Sequence, residues 1–147
     1  MAKASSFFPV YLNTTLPPLR LTDMEGNVIT ENELRSGKFL LHFWATWCKS
    51  CEQELFSISG IKTTDIKIMC ISIDDEPIDA INFLKNRNLN LNLYFDKAGK
   101  MAKILGSHKF PETYIIKNGK IVIKFEGPRN WEDKELINFI LREITDP

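Results

Sequence analysis

The 147-residue sequence has no apolar run approaching the ~18–20 residues of a membrane span. Its start, Met1 to Pro9, has no apolar core of a signal peptide. Two expectations follow: a cytoplasmic protein, or a form from which a leader has been trimmed. Charge of either sign is not in excess, with 19 Lys plus Arg against 19 Asp plus Glu. No basic stripe draws the chain to nucleic acid, so no nucleic-acid partner is expected. Cysteine is scarce, at three residues, which is not a structural disulfide framework. There is no second C-x-x-C and no His-x-x-x-His, so no metal site is expected. No Gly-rich phosphate loop is present, and no nucleotide, flavin or other cofactor is expected. Internal repeats and low-complexity segments are also missing. What remains, 44% apolar and 26% charged residues, is the composition of an ordinary globular domain with one substantial core.

Against that background Trp47-Cys48-Lys49-Ser50-Cys51 stands out. It follows the apolar run Phe39–Trp44, which reads as a buried strand, and precedes Glu52–Phe56, which reads as a helix. Two cysteines with this spacing, where a strand ends and a helix begins, are a redox signature. Free N–H groups and the positive end of the helix dipole favour an anion there. A thiolate at Cys48 is stabilised and its pKa falls below the free value of ~8.5. Lys49 adds a positive charge, and Cys51, one step inside the helix, is placed to attack a mixed disulfide formed by Cys48. The duller alternative is a pair of structural thiols or half of a metal site.

The rest of the chain frames this stretch. Residues 1–15 read as a flexible lead-in, with irregular character up to the prolines at 17 and 18, and residues 16–147 as a single domain. Residues 19–22 and 28–30 read as a small hairpin about Asp23–Asn27. Thr30 caps a helical turn that Gly37 ends. The strand over 39–45 leads to the helix over about 48–59, with Leu55 and Ile58 inward. Residues 66–73 look like a central strand. Asp74–Pro77 opens a helix with Ile78, Ile81 and Leu84 as its buried stripe. Residues 90–95 read as a strand. Ala98, Met101, Ala102 and Leu105 have helical spacing. Asn118-Gly119 joins strands 113–117 and 120–125 as a hairpin. Leu136, Ile137, Ile140, Leu141 and Ile144 mark a final helix. Alternating β and α elements predict an α/β fold with a mostly parallel sheet, the closing hairpin adding an antiparallel edge.

Several of these residues carry a family pattern. Phe43-Trp44-Ala45-Thr46-Trp47-Cys48-Lys49-Ser50-Cys51 resembles the active-site string of the thioredoxin superfamily, and within it the TlpA/ResA-like thiol:disulfide oxidoreductases of the redoxin family. Pro111-Glu112-Thr113 before a strand, Asn118-Gly119-Lys120, and Gly127-Pro128-Arg129-Asn130-Trp131 extend the resemblance over roughly residues 16–144. The resemblance implies a thioredoxin fold: a mixed central sheet flanked by helices, with an N-terminal β-hairpin. It implies that Cys48 attacks, that Cys51 resolves, and that Pro111 is a cis-proline facing the disulfide. Pro111 has its own case, since a proline heading a central strand lacks a ladder donor and a cis bond supplies a tight turn. The resemblance also implies a bacterial periplasmic or cell-envelope reductase, held by an anchor outside this sequence, in the setting of cytochrome c maturation.

The expected activity is disulfide exchange with a protein substrate, followed by re-reduction from a separate thiol reductant, by a monomer. Trp47, Lys49 and Glu54 support the pair, and Phe110 and Glu112 line the substrate groove. Glu54, one turn beyond Cys51, either moves protons near the thiols or is a solvated helix residue. Glu112 has an equal surface reading. His42 stands where thioredoxin itself has a buried acid; it reads as a core histidine before a proton shuttle. His108 reads as loop decoration and Cys70 as an inert buried thiol. Ser50 replaces the proline common in relatives, and the residues between the cysteines tune the potential. Three alternatives remain: a thiol oxidase of the same fold, a peroxidase using Thr46, and a copper chaperone using Cys48, Cys51 and a histidine.

Overall fold

The computed structural model describes residues 7–145. Eight strands form one sheet: β1 (Val10–Thr15), β2 (Arg20–Thr22), β3 (Val28–Thr30), β4 (Lys38–Trp44), β5 (Lys67–Ser72), β6 (Leu93–Phe95), β7 (Glu112–Lys117) and β8 (Lys120–Glu126). Four helices accompany them: α1 (Lys49–Ser59), α2 (Pro77–Asn86), α3 (Lys100–Ile104) and α4 (Lys134–Ile144). The strand order is β1-β8-β7-β4-β5-β6-β2-β3.

β4 lies at the centre because its side chains are apolar on both faces. Phe39 to Trp44 are all buried, as a strand covered on two sides requires. It pairs in parallel with β5 and antiparallel with β7. On one face Trp44 meets Phe83 of α2, with ring centroids 5.4 Å apart, and His42 meets Trp131. On the other face Tyr114 reaches past α3, its hydroxyl donating to the Leu105 carbonyl. The β8 strand has the alternation of a half-buried strand, with Ile121, Ile123 and Phe125 inward. α4 is held by Asp133, which accepts from the Glu135 N–H, and lays Phe139 against Phe7 and Tyr11. Thr30 and Glu33 form a reciprocal capping box over a 3-10 turn at Glu31–Leu34.

The hairpins stand where the sequence places them. Asn118 and Gly119 both have positive φ, 48° and 78°, as a tight two-residue turn demands. Other expectations are corrected. The sheet is not mostly parallel: β4–β5 and β5–β6 are its parallel pairs, and the other five are antiparallel. The closing hairpin is not an edge, because β7 sits against β4 and β1 covers β8. Val10–Thr15 is therefore a strand and not a loose lead-in; residues 1–6 lie outside the described residues. Of the expected α2 stripe Leu84 is buried and Ile81 partly so, but Ile78 is exposed and Ala80 is buried as well. Residues 90–92 precede β6 without joining it. Ala98 has φ +60° and stays outside α3.

Candidate active site

β4 ends at Trp44, and the chain turns through Ala45-Thr46-Trp47 into α1. That turn is fixed by Asp74, just beyond β5. Its carboxylate accepts from the Thr46 N–H, from the Thr46 hydroxyl at 2.7 Å, and from the Ser72 hydroxyl at 2.8 Å. Cys48 is then the N-cap residue of α1, in extended conformation, with no side chain capping the helix. The helix N-terminus thus faces the Cys48 sulfur with its unpaired N–H groups and dipole.

Cys48 and Cys51 are joined by a disulfide, their Cα atoms 5.3 Å apart. Cys48 retains 8% exposure and Cys51 none. A substrate can therefore reach only the first sulfur. The Cys48 sulfur lies 3.5 Å from the carbonyl oxygen of Phe110 and 3.7 Å from the Ser50 hydroxyl. The Phe110–Pro111 bond is cis, and Pro111 is buried at the head of β7. Trp47 is 66% exposed and stands edge-on to Phe110 at 6.3 Å between centroids. Together they form an aromatic lip beside the disulfide. Lys49 is exposed.

Glu112 is buried and not a surface residue. It accepts from the Ser107 hydroxyl at 2.6 Å and pairs with Lys124 Nζ at 3.1 Å. Glu112, Lys124, His108, Phe110 and Pro111 line a cavity of about 560 Å³. His108 itself is exposed.

Behind the disulfide is a buried polar cluster. Cys51, Glu54, Leu55 and Ile58 share the inward stripe of α1, so Glu54 is buried and not solvated. Its Oε2 accepts from Trp131 Nε1 at 2.7 Å and from the Arg129 N–H at 3.1 Å. Burial outweighs these donors and pushes the Glu54 carboxyl up to about 7. His42 is fully buried, its Nδ1 2.8 Å from the Thr113 hydroxyl and its Nε2 3.5 Å from Glu54 Oε1. Burial pushes His42 down to about 3, so the imidazole is neutral and the contact is not an ion pair. Cys70 is a buried free thiol, pushed up to about 12 by burial and by the neighbouring Glu54, and is inert to exchange. The sequence points to no site role for Trp131, Thr113 or Asp74, nor for Ser57, whose hydroxyl accepts from the Trp131 N–H and donates to the Glu54 carbonyl. Trp131 was visible only as the end of the Gly127–Trp131 segment. Among the described residues no group of three or more His, Cys, Asp or Glu side chains is placed to hold a metal.

The AhpC/TSA family matches this chain over residues 12–125. The chain belongs to that family. Within it, the likeness is to the ResA branch. Thiol-disulfide oxidoreductase ResA of Bacillus thuringiensis subsp. konkukian is 30% identical over 134 residues, spanning 88% of this chain and 76% of that protein. Thiol:disulfide interchange protein HelX of Rhodobacter capsulatus is 33% identical over 116 residues, 76% of this chain and 66% of its own length. Among solved structures, a putative thiol:disulfide interchange protein DsbE from Chlorobium tepidum superposes with a TM-score of 0.78 at 22% identity, covering 90% of this chain and 97% of that one. The fold is the thioredoxin fold, and the chain is a thiol:disulfide oxidoreductase of the TlpA/ResA kind.

Proposed function

We propose that this AhpC/TSA-family oxidoreductase works as a disulfide reductase, with Cys48 as nucleophile and Cys51 as resolving thiol. The observation that carries the reading is the joined pair at the start of α1, with only Cys48 open to solvent. The Cys48 thiolate attacks one sulfur of a substrate disulfide, and the other sulfur leaves as a thiolate that takes up a proton. Cys51 then gives up its proton and attacks the Cys48 sulfur. The substrate departs as a dithiol, and the Cys48–Cys51 disulfide forms. Two electrons have passed to the substrate, and a separate thiol reductant must return them. The Phe110–Pro111 backbone beside the sulfur, with the Trp47 and Phe110 rings, suits an extended polypeptide substrate.

The direction rests on Glu54. Thiolate-stabilising groups, such as the helix N-terminus and Lys49, favour the reduced form and make a couple oxidising. A buried acid one turn beyond Cys51 opposes them: its charge disfavours the Cys51 thiolate, and it can take the Cys51 proton during resolution. By resemblance to the TlpA/ResA branch, the setting is the bacterial cell envelope and the substrates include the apocytochrome cysteine pair in its disulfide form, released as thiols. No helix among the described residues is long and apolar enough to cross a membrane. The peroxidase alternative loses support because the Thr46 hydroxyl is committed to Asp74.

Trapping tests the reading. Cys51→Ala should accumulate a mixed disulfide between Cys48 and its partner in a cell-envelope extract, identified by mass spectrometry. A Cys48 that alkylates readily yet traps nothing would sink the exchange mechanism. A reduction potential well below about −200 mV supports the reductase direction, and a value above it supports an oxidase.

A further inference from the structure

The pair His42–Glu54 has a hydrogen-bonding problem that only a proton solves. β4 carries His42 to the middle of the sheet, where its register neighbours are Cys70 on β5 and Thr113 on β7. Thr113 takes care of Nδ1. Nε2 faces Glu54 Oε1 across 3.5 Å, and among the described residues neither atom has a hydrogen-bond partner. The other Glu54 oxygen is already occupied by Trp131 and Arg129. A carboxylate oxygen and an imidazole lone pair cannot both be left bare in a buried site without an uncompensated desolvation cost at each. A proton between them satisfies both.

We propose that His42 is a positioning residue that serves both protonation states of Glu54. When the carboxyl carries its proton, Oε1–H donates to Nε2, and Nδ1–H donates to the Thr113 hydroxyl. When the carboxyl is ionised, Nε2–H donates to Oε1, and the Thr113 hydroxyl rotates to donate to Nδ1. From the first state to the second one proton is lost: the Oε1 proton passes to Nε2, the Nδ1 proton goes to water, and the imidazole changes tautomer but not its charge, in keeping with its depressed basicity. The other titratable or charged groups facing the pair are Cys70 from β5 and Arg129 from the segment after β8; Cys51 lies one turn before Glu54 on α1. A cavity of about 670 Å³ lined by Ser50, Gln53, Pro128 and Arg129 lies beside Glu54.

The inference rests on the reading of Glu54 as the proton acceptor in resolution. In that step the Cys51 S–H passes its proton to the Glu54 carboxylate. The Cys51 thiolate joins Cys48, and the substrate sulfur leaves as a thiolate and is protonated by water. A bond from a neutral donor to a carboxylate is stronger than the bond the carboxylic acid donates in return. The imidazole therefore favours the ionised form overall and keeps Glu54 able to act near neutral pH. Replacing it with leucine removes the donor and adds apolar surroundings, and both effects raise the carboxyl pKa.

Two measurements decide. The first is resolution in the reduced protein, followed as release of the second equivalent of thionitrobenzoate from Ellman's reagent across pH. In His42→Leu the acid limb should move up by about one pH unit, slowing resolution about fivefold at pH ~7. A limb that stays in place or moves down overturns the proposal. The second needs no variant: nitrogen-15 NMR of the His42 ring in the oxidised protein. Nε2 should be bare at about pH 5 and protonated at about pH 9, with the ring neutral throughout. One tautomer across that range overturns the proposal even if His42→Leu fails to fold. Glu54→Gln separates the two layers. If it resolves as the wild type does, the underlying reading of Glu54 fails, while the tautomer result still judges His42.

Discussion

Cys48→Ser is expected to lower disulfide-exchange activity by at least about 10³-fold, to the background rate, because no other group on the protein can replace its sulfur. The nucleophile in exchange is a thiolate, and a serine hydroxyl does not ionise near neutral pH. The other candidate sulfurs are out of reach. Cys51 is fully buried behind Cys48, and Cys70 is sealed in the sheet with its thiol pushed up to about 12. The loss will not reflect unfolding. The bridge closes a loop of sequence separation 3, whose loop-closure contribution is only roughly 2 kcal/mol. The Thr46–Asp74 bonds that shape the turn do not involve the sulfur. Insulin reduction by the purified variant, with circular dichroism as the folding control, makes the measurement. Folded Cys48→Ser that keeps more than about 1% of wild-type turnover would move the nucleophile elsewhere. Alkylation should show the same asymmetry: iodoacetamide labels Cys51→Ser readily and Cys48→Ser barely.

The sequence displays this half of the site because its determinants are local. Two cysteines three residues apart, an apolar strand before them and a helix after them suffice to place a sulfur at a helix N-terminus. The Asn118-Gly119 turn and the proline heading β7 are equally local signals. The polar cluster behind the disulfide depends on contacts across the chain. Trp131 and Arg129 meet Glu54 over sequence separations of 77 and 75, and Thr113 meets His42 over 71. One signal for Glu54 was present: with Cys51, Leu55 and Ile58 it falls on the helical spacing of a buried stripe, so solvent was never its natural surroundings. β1 escaped for another reason. Val10-Tyr11-Leu12-Asn13-Thr14-Thr15 is mostly exposed and shows no clean alternation, with Pro9 before it and Pro17 and Pro18 after it. Its partner β8 is more than a hundred residues away, with Val10 opposite Lys124. The parallel character of the sheet was overestimated because βαβ alternation identifies only the β4–β5–β6 unit. The antiparallel pairings of β2 with β6, of β7 with β4 and of β1 with β8 are long-range registers that no local pattern encodes.

Glu54→Gln is expected to stabilise the oxidised protein at alkaline pH and to leave it nearly unchanged in mild acid. The carboxyl is raised from 4.5 to about 7 on folding, with burial as the main cause. An unfolded chain therefore releases this proton first as pH rises, and the folded state loses stability between about pH 4.5 and 7. The loss is on the order of 3 kcal/mol once both states are ionised. Glutamine has no such proton to release. Its carbonyl oxygen still accepts from Trp131 and Arg129, and its amide can donate to the bare Nε2 of His42, so the buried partners stay satisfied. His42 works in the opposite direction. Its folded value near 3 lies below the ordinary 6.5, so it takes stability away as pH falls through that window, in both proteins alike. The difference between the two proteins isolates Glu54. Urea unfolding should give equal stabilities near pH ~4 and a gap growing to about 3 kcal/mol in favour of Glu54→Gln near pH ~8.5. A gap that does not change with pH would mean that Glu54 ionises as an exposed carboxyl does. The reductase direction would then lose its electrostatic basis, because a charge screened by solvent could neither oppose the Cys51 thiolate nor draw a proton from it.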